Sequence, residues 1–244
     1  MARTVLLNKE QHLDLCVNTG YSAALGDAVM WVPTFALEFR NLQAHYPILF
    51  HKDTNSGRFF PVALLGLEQG ENLFLTGQGW DCRYIPLMQQ RIPFSIGLYN
   101  EGDSDVKRPM INIDLEHPKV SSGTGRRLFE THGGVTPYLE KMSNMLNVIH
   151  DWNTHNEQFI KALVELELLE PVNIDITLTN GDKGQLFGYF TIKEERLAEL
   201  SAAELHSLNQ QNFLLPIYMA LASVVNIREL IERKSATASR SEQP

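Results

Sequence analysis

The fold class is decided by the stretch Val172-Asn173-Ile174-Asp175-Ile176-Thr177-Leu178-Thr179, in which apolar and polar residues alternate strictly. The turn residues Asn180-Gly181-Asp182-Lys183-Gly184 follow, and residues 185–192 alternate again. Because successive side chains of a strand point to opposite faces of a sheet, this pattern predicts two strands that each bury one face. A turn this short joins antiparallel neighbours, so the stretch is predicted to form a β-hairpin.

Similar strand signals recur in the first half of the chain. Short runs rich in β-favouring residues predict strands at 48–51, 59–67, 72–76, 94–99 and 110–115. The first three are joined by short turn segments, and the acidic loop Asn100 to Asp105 joins the last two. A parallel connection needs a dozen or more residues, so these links favour an antiparallel sheet built from hairpins.

A long helix is predicted after Thr136-Pro137, where Thr acts as N-cap and Pro occupies the first helical position. Apolar residues then recur at spacings of three and four from Met142 to Leu166. This spacing places them, Trp152 and Phe159 included, on one helix face, so we expect a buried stripe.

Further helices are predicted over 34–46, after the capping box Ser201-Ala202-Ala203-Glu204, and from Phe213 to Arg233. The resulting fold class is α+β, with an antiparallel sheet built from hairpins and packed by a long central helix and a C-terminal apolar helix. We expect residues 1–233 to form a single domain and residues 234–244 to form a disordered polar tail.

The composition indicates which classes of partner and which cellular compartment to expect. The chain has 244 residues and a net charge of -8, which disfavours nucleic acid and anionic membrane surfaces as partners. Its longest apolar run, residues 213–225, contains Pro216 and is shorter than the roughly 20 residues that a membrane span needs. With no signal-peptide pattern and only Cys16 and Cys82, we expect a cytoplasmic protein without an inserted helix.

The motif His51-Lys52-Asp53 is a candidate metal site. An imidazole and a carboxylate at this spacing supply two of the three ligands of a non-haem iron site, with His117 or His132 as the third. The alternative is a surface histidine beside a turn-forming aspartate, because the motif runs directly into turn residues.

A second candidate site lies between residues 75 and 94, where aromatic and arginine residues are interleaved with Gly and Pro. Such residues form binding surfaces and pocket walls. The candidate binding residues are Trp80, Arg83, Tyr84, Arg91, Phe94 and Asp114. The alternative is a loop that packs on the core, with the Arg91 guanidinium paired to a carboxylate such as Asp114.

Several stretches together resemble the SapC family, over roughly residues 34–231. They are Glu38-Phe39-Arg40, His45 to Phe50, Pro61 to Leu67, Gly70 to Phe74, Gly79-Trp80, Tyr84-Ile85-Pro86, Arg91 to Phe94, Ile113-Asp114, Leu128-Phe129, Gly188-Tyr189-Phe190, Glu195-Arg196-Leu197 and Ile217 to Ser223. The resemblance implies an accessory role, because family members are often encoded beside flavin-dependent halogenase-like proteins and outer-membrane receptors. It brings no catalytic residues.

The sequence therefore favours a soluble accessory or binding protein with no cofactor, serving a surface or secretion, receptor, or halogenase-type system. We expect a protein partner, with a flavin-dependent halogenase-like protein as one candidate and a homodimer as another. The alternatives are a metal-dependent enzyme that uses His51 and Asp53, and a small-ligand sensor with a pocket walled by Trp80, Tyr84 and Phe94. No hydrolase, zinc-protease or dinucleotide motif is present.

Overall fold

The structure is a computed structural model that describes residues 3–100 and 107–241 and has the predicted α+β class. The acidic loop expected at 100–105 lies, apart from Asn100, outside the described residues, as do residues 242–244 of the expected tail. Helices and antiparallel strands are both abundant, and one long central helix and one apolar C-terminal helix are present.

The strands, in chain order, are short in the first half and longest in the hairpin near residue 180. They are β1 Thr4–Leu6, β2 Leu15–Val17, β3 Trp31–Pro33, β4 Ile48–Lys52, β5 Phe59–Leu64, β6 Leu75–Thr76, β7 Gly79–Trp80, β8 Phe94–Asn100, β9 Lys107–Asp114, β10 Val120–Ser122, β11 Arg126–Arg127, β12 Leu169–Thr177 and β13 Lys183–Ile192.

The α-helices are dominated by one central helix of 29 residues. They are α1 Lys9–His12, α2 Phe39–Leu42, α3 Leu87–Gln90, α4 Pro137–Glu165, α5 Glu194–Ala198, α6 Ala202–Gln210, α7 Leu214–Ser223 and α8 Ile227–Ser241. Short 3-10 turns lie at Ala23–Leu25, Ala36–Glu38 and Val224–Asn226. The capping box predicted at Ser201 is present and starts α6.

The chain divides into two compact units. Unit 1 comprises Met1–Ala28, Leu75–Asp81 and Leu87–Asp151, and unit 2 comprises Val29–Phe74, Cys82–Pro86 and Trp152–Pro244. Helix α4 contributes its first half to unit 1 and its second half to unit 2.

Unit 1 contains two three-stranded antiparallel sheets, with strand orders β1-β9-β8 and β10-β2-β11, and the β6-β7 ribbon. The hairpin predicted from 94–99 and 110–115 is present as β8 and β9. Apolar residues from both three-stranded sheets and from α4 form one buried cluster, which includes Val17, Ile113, Leu128, Met142 and Leu146.

Unit 2 contains a five-stranded antiparallel sheet with strand order β12-β13-β4-β5-β3. The predicted hairpin is its β12-β13 edge, and Gly181 in the connecting turn has a φ of 90°, which glycine adopts without steric cost. The rings of Phe39, Phe50 and Phe213 all lie 5.5–6.4 Å from that of Phe159, so the second half of α4 packs on the sheet and on α7.

Several regions differ from the sequence expectation. The helix predicted over 34–46 is a 3-10 turn, Ala36–Glu38, followed by the short helix α2, and the strand predicted at 72–76 is reduced to β6, which pairs with β7. No strand or helix is predicted within the first thirty residues, but they contain β1 and β2, whose partners lie about a hundred residues away. The end of the chain also differs, because α8 continues to Ser241 where a disordered tail was expected from Lys234. Lys234 pairs with Glu71 at 2.6 Å, and the Ser235 hydroxyl accepts a hydrogen bond from the Thr179 amide at 3.2 Å. These two contacts hold the first residues of the expected tail in the helix.

Candidate functional site

The structure divides the candidate binding residues between the two units. Trp80, Arg91, Phe94 and Asp114 belong to unit 1, whereas Arg83 and Tyr84 belong to unit 2. Each group is therefore described within its own unit.

Within unit 1, Phe94 and Arg91 have structural contacts. The Phe94 side chain is fully buried in the apolar cluster, and the Arg91 Nη1 atom donates to the Phe94 carbonyl at 2.6 Å. Asp114 accepts from the Arg3 and Glu116 amides at 3.0 and 3.1 Å. Among the described residues no ion pair joins Arg91 to Asp114, so the pairing considered from the sequence is not formed.

Trp80 is half-buried and is held by an aromatic neighbour. Its ring makes an edge contact with that of Tyr21, with a centroid distance of 5.5 Å. The Tyr21 ring also contacts a cation, because the Lys119 ammonium lies 4.1 Å from the Tyr21 ring centroid. Trp80 therefore packs on Tyr21, and Tyr21 in turn packs on the buried Lys119.

Lys119 is part of a buried ion pair, which we call the Asp27-Lys119 pair. The ammonium lies 2.8 Å from Asp27 Oδ1, and the two side chains are 3% and 1% exposed. Asp27 also accepts from Gln89 Nε2 at 2.6 Å and from the Ser22 amide at 2.9 Å, while Lys119 donates to the Gly20 carbonyl at 3.1 Å. The pair thus connects three segments that are distant in sequence, namely residues 20–27, helix α3 at Gln89 and the turn at Lys119.

This hydrogen bonding is what a buried ion pair requires, because the desolvation cost is offset only when the remaining donors and acceptors are satisfied. The charges also act on their neighbours. Burial first, and then the Asp27 charge, raises the pKa of Tyr21 to about 12. Burial first, and then Lys119, lowers the pKa of His117. Both rings are consequently neutral at physiological pH.

Within unit 2, Tyr84 belongs to a second polar network around the fully buried Glu38. Tyr84 donates its hydroxyl to Glu38 Oε1 at 2.9 Å, and Thr34 donates to Oε2 at 2.6 Å. Burial and then the Glu38 charge raise the pKa of Tyr84. Arg83 lies exposed. The Tyr84 hydroxyl is therefore engaged in a hydrogen bond to the Glu38 carboxylate.

The two residues of the candidate metal motif face different surroundings. The His51 ring stacks on Phe60 and contacts Trp31 and Tyr189, at centroid distances of 5.4–5.7 Å. Asp53 accepts from Ser56 and Asn55 in its own turn, and these hydrogen bonds lower its pKa. Within residues 3–100 and 107–241, no group of three or more His, Cys, Asp or Glu residues is placed to hold a metal ion.

The most unusual surface lies on α7 and the turn that follows it in unit 2. The outward positions there are Leu215, Tyr218, Ala222 and Val225, with Leu215, Tyr218 and Val225 being 49%, 53% and 70% exposed. We call these four residues the apolar stripe. Their spacing of three, four and three residues is the repeat of a helix face that packs against another helix. No charged residue lies between them on the exposed face.

The opposite face of the same helix is fully used inside unit 2. Phe213, Ile217 and Ala220 are buried, and the buried Ser223 hydroxyl accepts from the Ile48 amide at 2.8 Å. The helix is therefore apolar on both sides, but only one side is covered. Exposed contiguous apolar surface of this kind is typical of sites that contact a protein, a membrane or a ligand.

A groove borders each end of the apolar stripe. At the Leu215 end a groove of about 450 Å³ is lined by apolar side chains with Arg40, Asn209 and Asn212 at its polar positions. At the Val225 end an open cleft of about 760 Å³ includes Asp175, Arg228 and Glu232. The first end carries one cation, and the second carries two carboxylates against one guanidinium.

One helical stretch of the described chain, Leu214–Thr237, is long and apolar enough to cross a membrane by length and composition. The stretch has 24 residues; its most apolar part has a mean hydropathy of 1.5, and 28% of that part is buried. Core helices of soluble proteins share this length and composition, so these two properties alone do not identify a membrane span. Three large apolar side chains of the stretch, those of Leu215, Tyr218 and Val225, are exposed within this chain.

Comparison with protein families gives one result that covers nearly the whole chain. The SapC family matches residues 7–230. The chain belongs to the SapC family. Comparison with curated proteins and with solved structures finds no match.

The matched region of this SapC-family chain contains all four stripe residues and Arg40, as well as Asp27 and Lys119. Neither feature was found from the sequence. Asp27 and Lys119 are 92 positions apart and no local pattern links them. The stripe did leave a signal, because residues 213–225 are apolar at both inward and outward positions.

Proposed function

We propose that this SapC-family protein is an accessory binding protein without catalytic machinery, and that it acts through a protein–protein interface on the apolar stripe. The observation that carries the proposal is the exposed helix face of Leu215, Tyr218, Ala222 and Val225, which holds no charge. Removing leucine, tyrosine and valine side chains from water is the main favourable term in association.

The flanking grooves support a protein as the occupant. They add polar and charged groups at the two ends of an apolar centre, with Arg40 at one end and Asp175 and Glu232 at the other. An apolar centre with a polar rim is the usual anatomy of a protein interface. Tyr218 supplies a large apolar area with a polar hydroxyl, which is why tyrosine is common at binding hot spots.

The polar networks favour a different role. The carboxylates of Asp27 and Glu38 are buried, and each already accepts short hydrogen bonds from side chains of its own unit. A group held in this way is engaged in fixing its surroundings. We therefore assign binding to the stripe, and structural support to the two networks.

The family resemblance suggests the setting of this binding. We propose that the partner belongs to a surface or secretion, outer-membrane receptor or flavin-dependent halogenase-type system. A cytoplasmic location and the absence of nucleic-acid and membrane partners remain part of the proposal, on the strength of the net charge of -8.

Capture of bound proteins by the full chain tests this function. The tagged wild-type protein is expressed in its native cell together with a second, differently tagged copy, and captured proteins are quantified by mass spectrometry. We expect the variant Leu215→Lys/Val225→Lys to lose the captured protein by at least about tenfold, because lysine places two charges on the apolar centre.

Phe187→Lys is the matched control. Phe187 is 73% exposed in the same unit and lies on β13, outside the stripe. Phe187→Lys should capture the same protein as the wild type. If capture depended only on the total exposed apolar surface, the control and the stripe variant would both capture less protein. Equal capture by the wild type and the stripe variant would contradict the proposed function.

A further inference from the structure

The apolar stripe is complementary in size to itself. Its four positions are symmetric about position 220, so an antiparallel copy places Leu215 opposite Val225 and Tyr218 opposite Ala222. A large ring therefore faces a methyl group, and two aliphatic side chains of similar size face each other. Alternation of large and small residues across facing positions is what close packing of helices requires.

The ends of the stripe are also complementary in charge. Arg40 lines the groove at the Leu215 end, and it makes no ion pair within residues 3–100 and 107–241. Asp175 and Glu232 line the cleft at the Val225 end, where they outnumber Arg228. An antiparallel copy brings each cationic end next to an acidic end, whereas a parallel copy would bring like ends together.

We propose that the occupant of the apolar stripe is a second copy of this chain, bound antiparallel about a twofold axis that crosses the helix near position 220. The inference rests on the proposed function and names the partner of the same surface. The interface is isologous, so every contact occurs twice: Leu215 with Val225 of the second copy, Tyr218 with its Ala222, and Arg40 with its Glu232.

Other occupants fit the surface less well. An anionic lipid surface would meet carboxylates at the Val225 end and a chain of net charge -8, and both are repulsive. A helix from a different protein would need its own pattern of sizes and charges. A second copy supplies both patterns from residues already in the chain.

Sedimentation equilibrium of the purified full chain is the first test. The chain has a mass of 27.7 kDa, and we expect the measured mass to rise to twice this value with concentration. Ala222→Tyr puts two rings in the same space and should weaken association at least about tenfold. The double variant Tyr218→Ala/Ala222→Tyr restores the pairing of ring with methyl group and should recover most of the affinity.

Cysteine cross-linking tests the direction. In a Cys82→Ser background, Leu215→Cys/Val225→Cys should give a disulfide-linked dimer under mild oxidation. The cysteine at position 215 of one copy then faces the cysteine at position 225 of the second copy. Leu215→Cys alone should not cross-link, since its counterpart in an antiparallel pair lies about 15 Å along the helix. Cross-linking of the single variant would show a parallel pair and overturn the proposed direction.

The outcomes separate this inference from the function on which it rests. A mass of 27.7 kDa at all concentrations, or a dimer that Ala222→Tyr leaves intact, overturns the second copy as occupant. If the stripe then still captures a different protein, the proposed function stands. If wild-type protein instead floats with vesicles of anionic lipid and Leu215→Lys/Val225→Lys does not, the occupant is a membrane and both statements fail.

Discussion

The Asp27-Lys119 pair in unit 1 and the apolar stripe in unit 2 are opposite kinds of site. The first buries two charges almost completely and gives them hydrogen-bond partners, whereas the second leaves leucine, tyrosine and valine side chains half or more exposed. The charged groups of Asp27 and Lys119 already make hydrogen bonds within the chain, which leaves few donors or acceptors for a ligand. Apolar side chains in water gain free energy when a partner covers them. The contrast assigns stability to the first region and binding to the second.

The largest effect is expected from Lys119→Ala. It leaves Asp27 buried without its cation, so we expect the free energy of unfolding to fall by about 3–5 kcal/mol. Denaturant unfolding followed by circular dichroism measures the change. Lys161→Ala is the control, because its pair with Glu165 is solvent-exposed and should contribute less than about 0.5 kcal/mol. Similar losses in both variants would remove the special role of the buried pair.

A smaller effect concerns the alkaline stability of the same region. The pKa of Tyr21 is raised to about 12 by burial and by Asp27, whereas an unfolded tyrosine ionises near pH 10. Between these pH values the unfolded state releases a proton that the folded state keeps, so stability is lost as the pH rises from about 10 to about 12.

Tyr21→Phe should therefore show a shallower loss of stability over this range than the wild type. Tyr84 and Tyr189, whose pKa values are raised first by burial, contribute equally in both proteins, whereas the pKa of Tyr138 is raised by burial and then by Tyr21, so part of its contribution is lost with Tyr21. Urea unfolding at several pH values gives the two slopes. Equal slopes would mean that Tyr21 ionises with the same pKa in both states.

The smallest effect on stability is expected at the stripe. The Val225 side chain stays largely exposed in the folded chain, so its burial contributes little to folding. For Val225→Lys the free energy of unfolding should therefore stay within about 0.5 kcal/mol of the wild type at low protein concentration. Thermal unfolding of dilute protein measures it. A loss comparable to that of Lys119→Ala would show that Val225 supports the fold, and the contrast between the two regions would fail.

The sequence predicts those elements whose pattern is local. Strict alternation from Val172 to Thr179 and the capping box at Ser201 each need only a few neighbouring residues, and both are present in the structure. Strands β1 and β2 have three residues each and are stabilised by partners far along the chain, so a local pattern cannot identify them. The same applies to Asp27 and Lys119.

The candidate site was harder to predict for a related reason. Aromatic and arginine residues are enriched between residues 75 and 94, but composition does not distinguish Phe94, which is fully buried, from Trp80, which is half-buried. Around the stripe, the helix is apolar on both faces. Hydrophobic periodicity therefore predicts that the helix is packed without indicating which face remains uncovered.

Hydroxyl-radical footprinting inside the native cell tests the central claim most directly, by comparing oxidation of Tyr218 with oxidation of Phe187. Both rings are exposed in the isolated chain, at 53% and 73%. The account predicts that Tyr218 is protected in the cell and in concentrated solution and becomes reactive on dilution or in Leu215→Lys/Val225→Lys, while Phe187 is oxidised throughout. Oxidation of Tyr218 that is equally fast under all of these conditions would contradict the claim that the stripe is a binding surface.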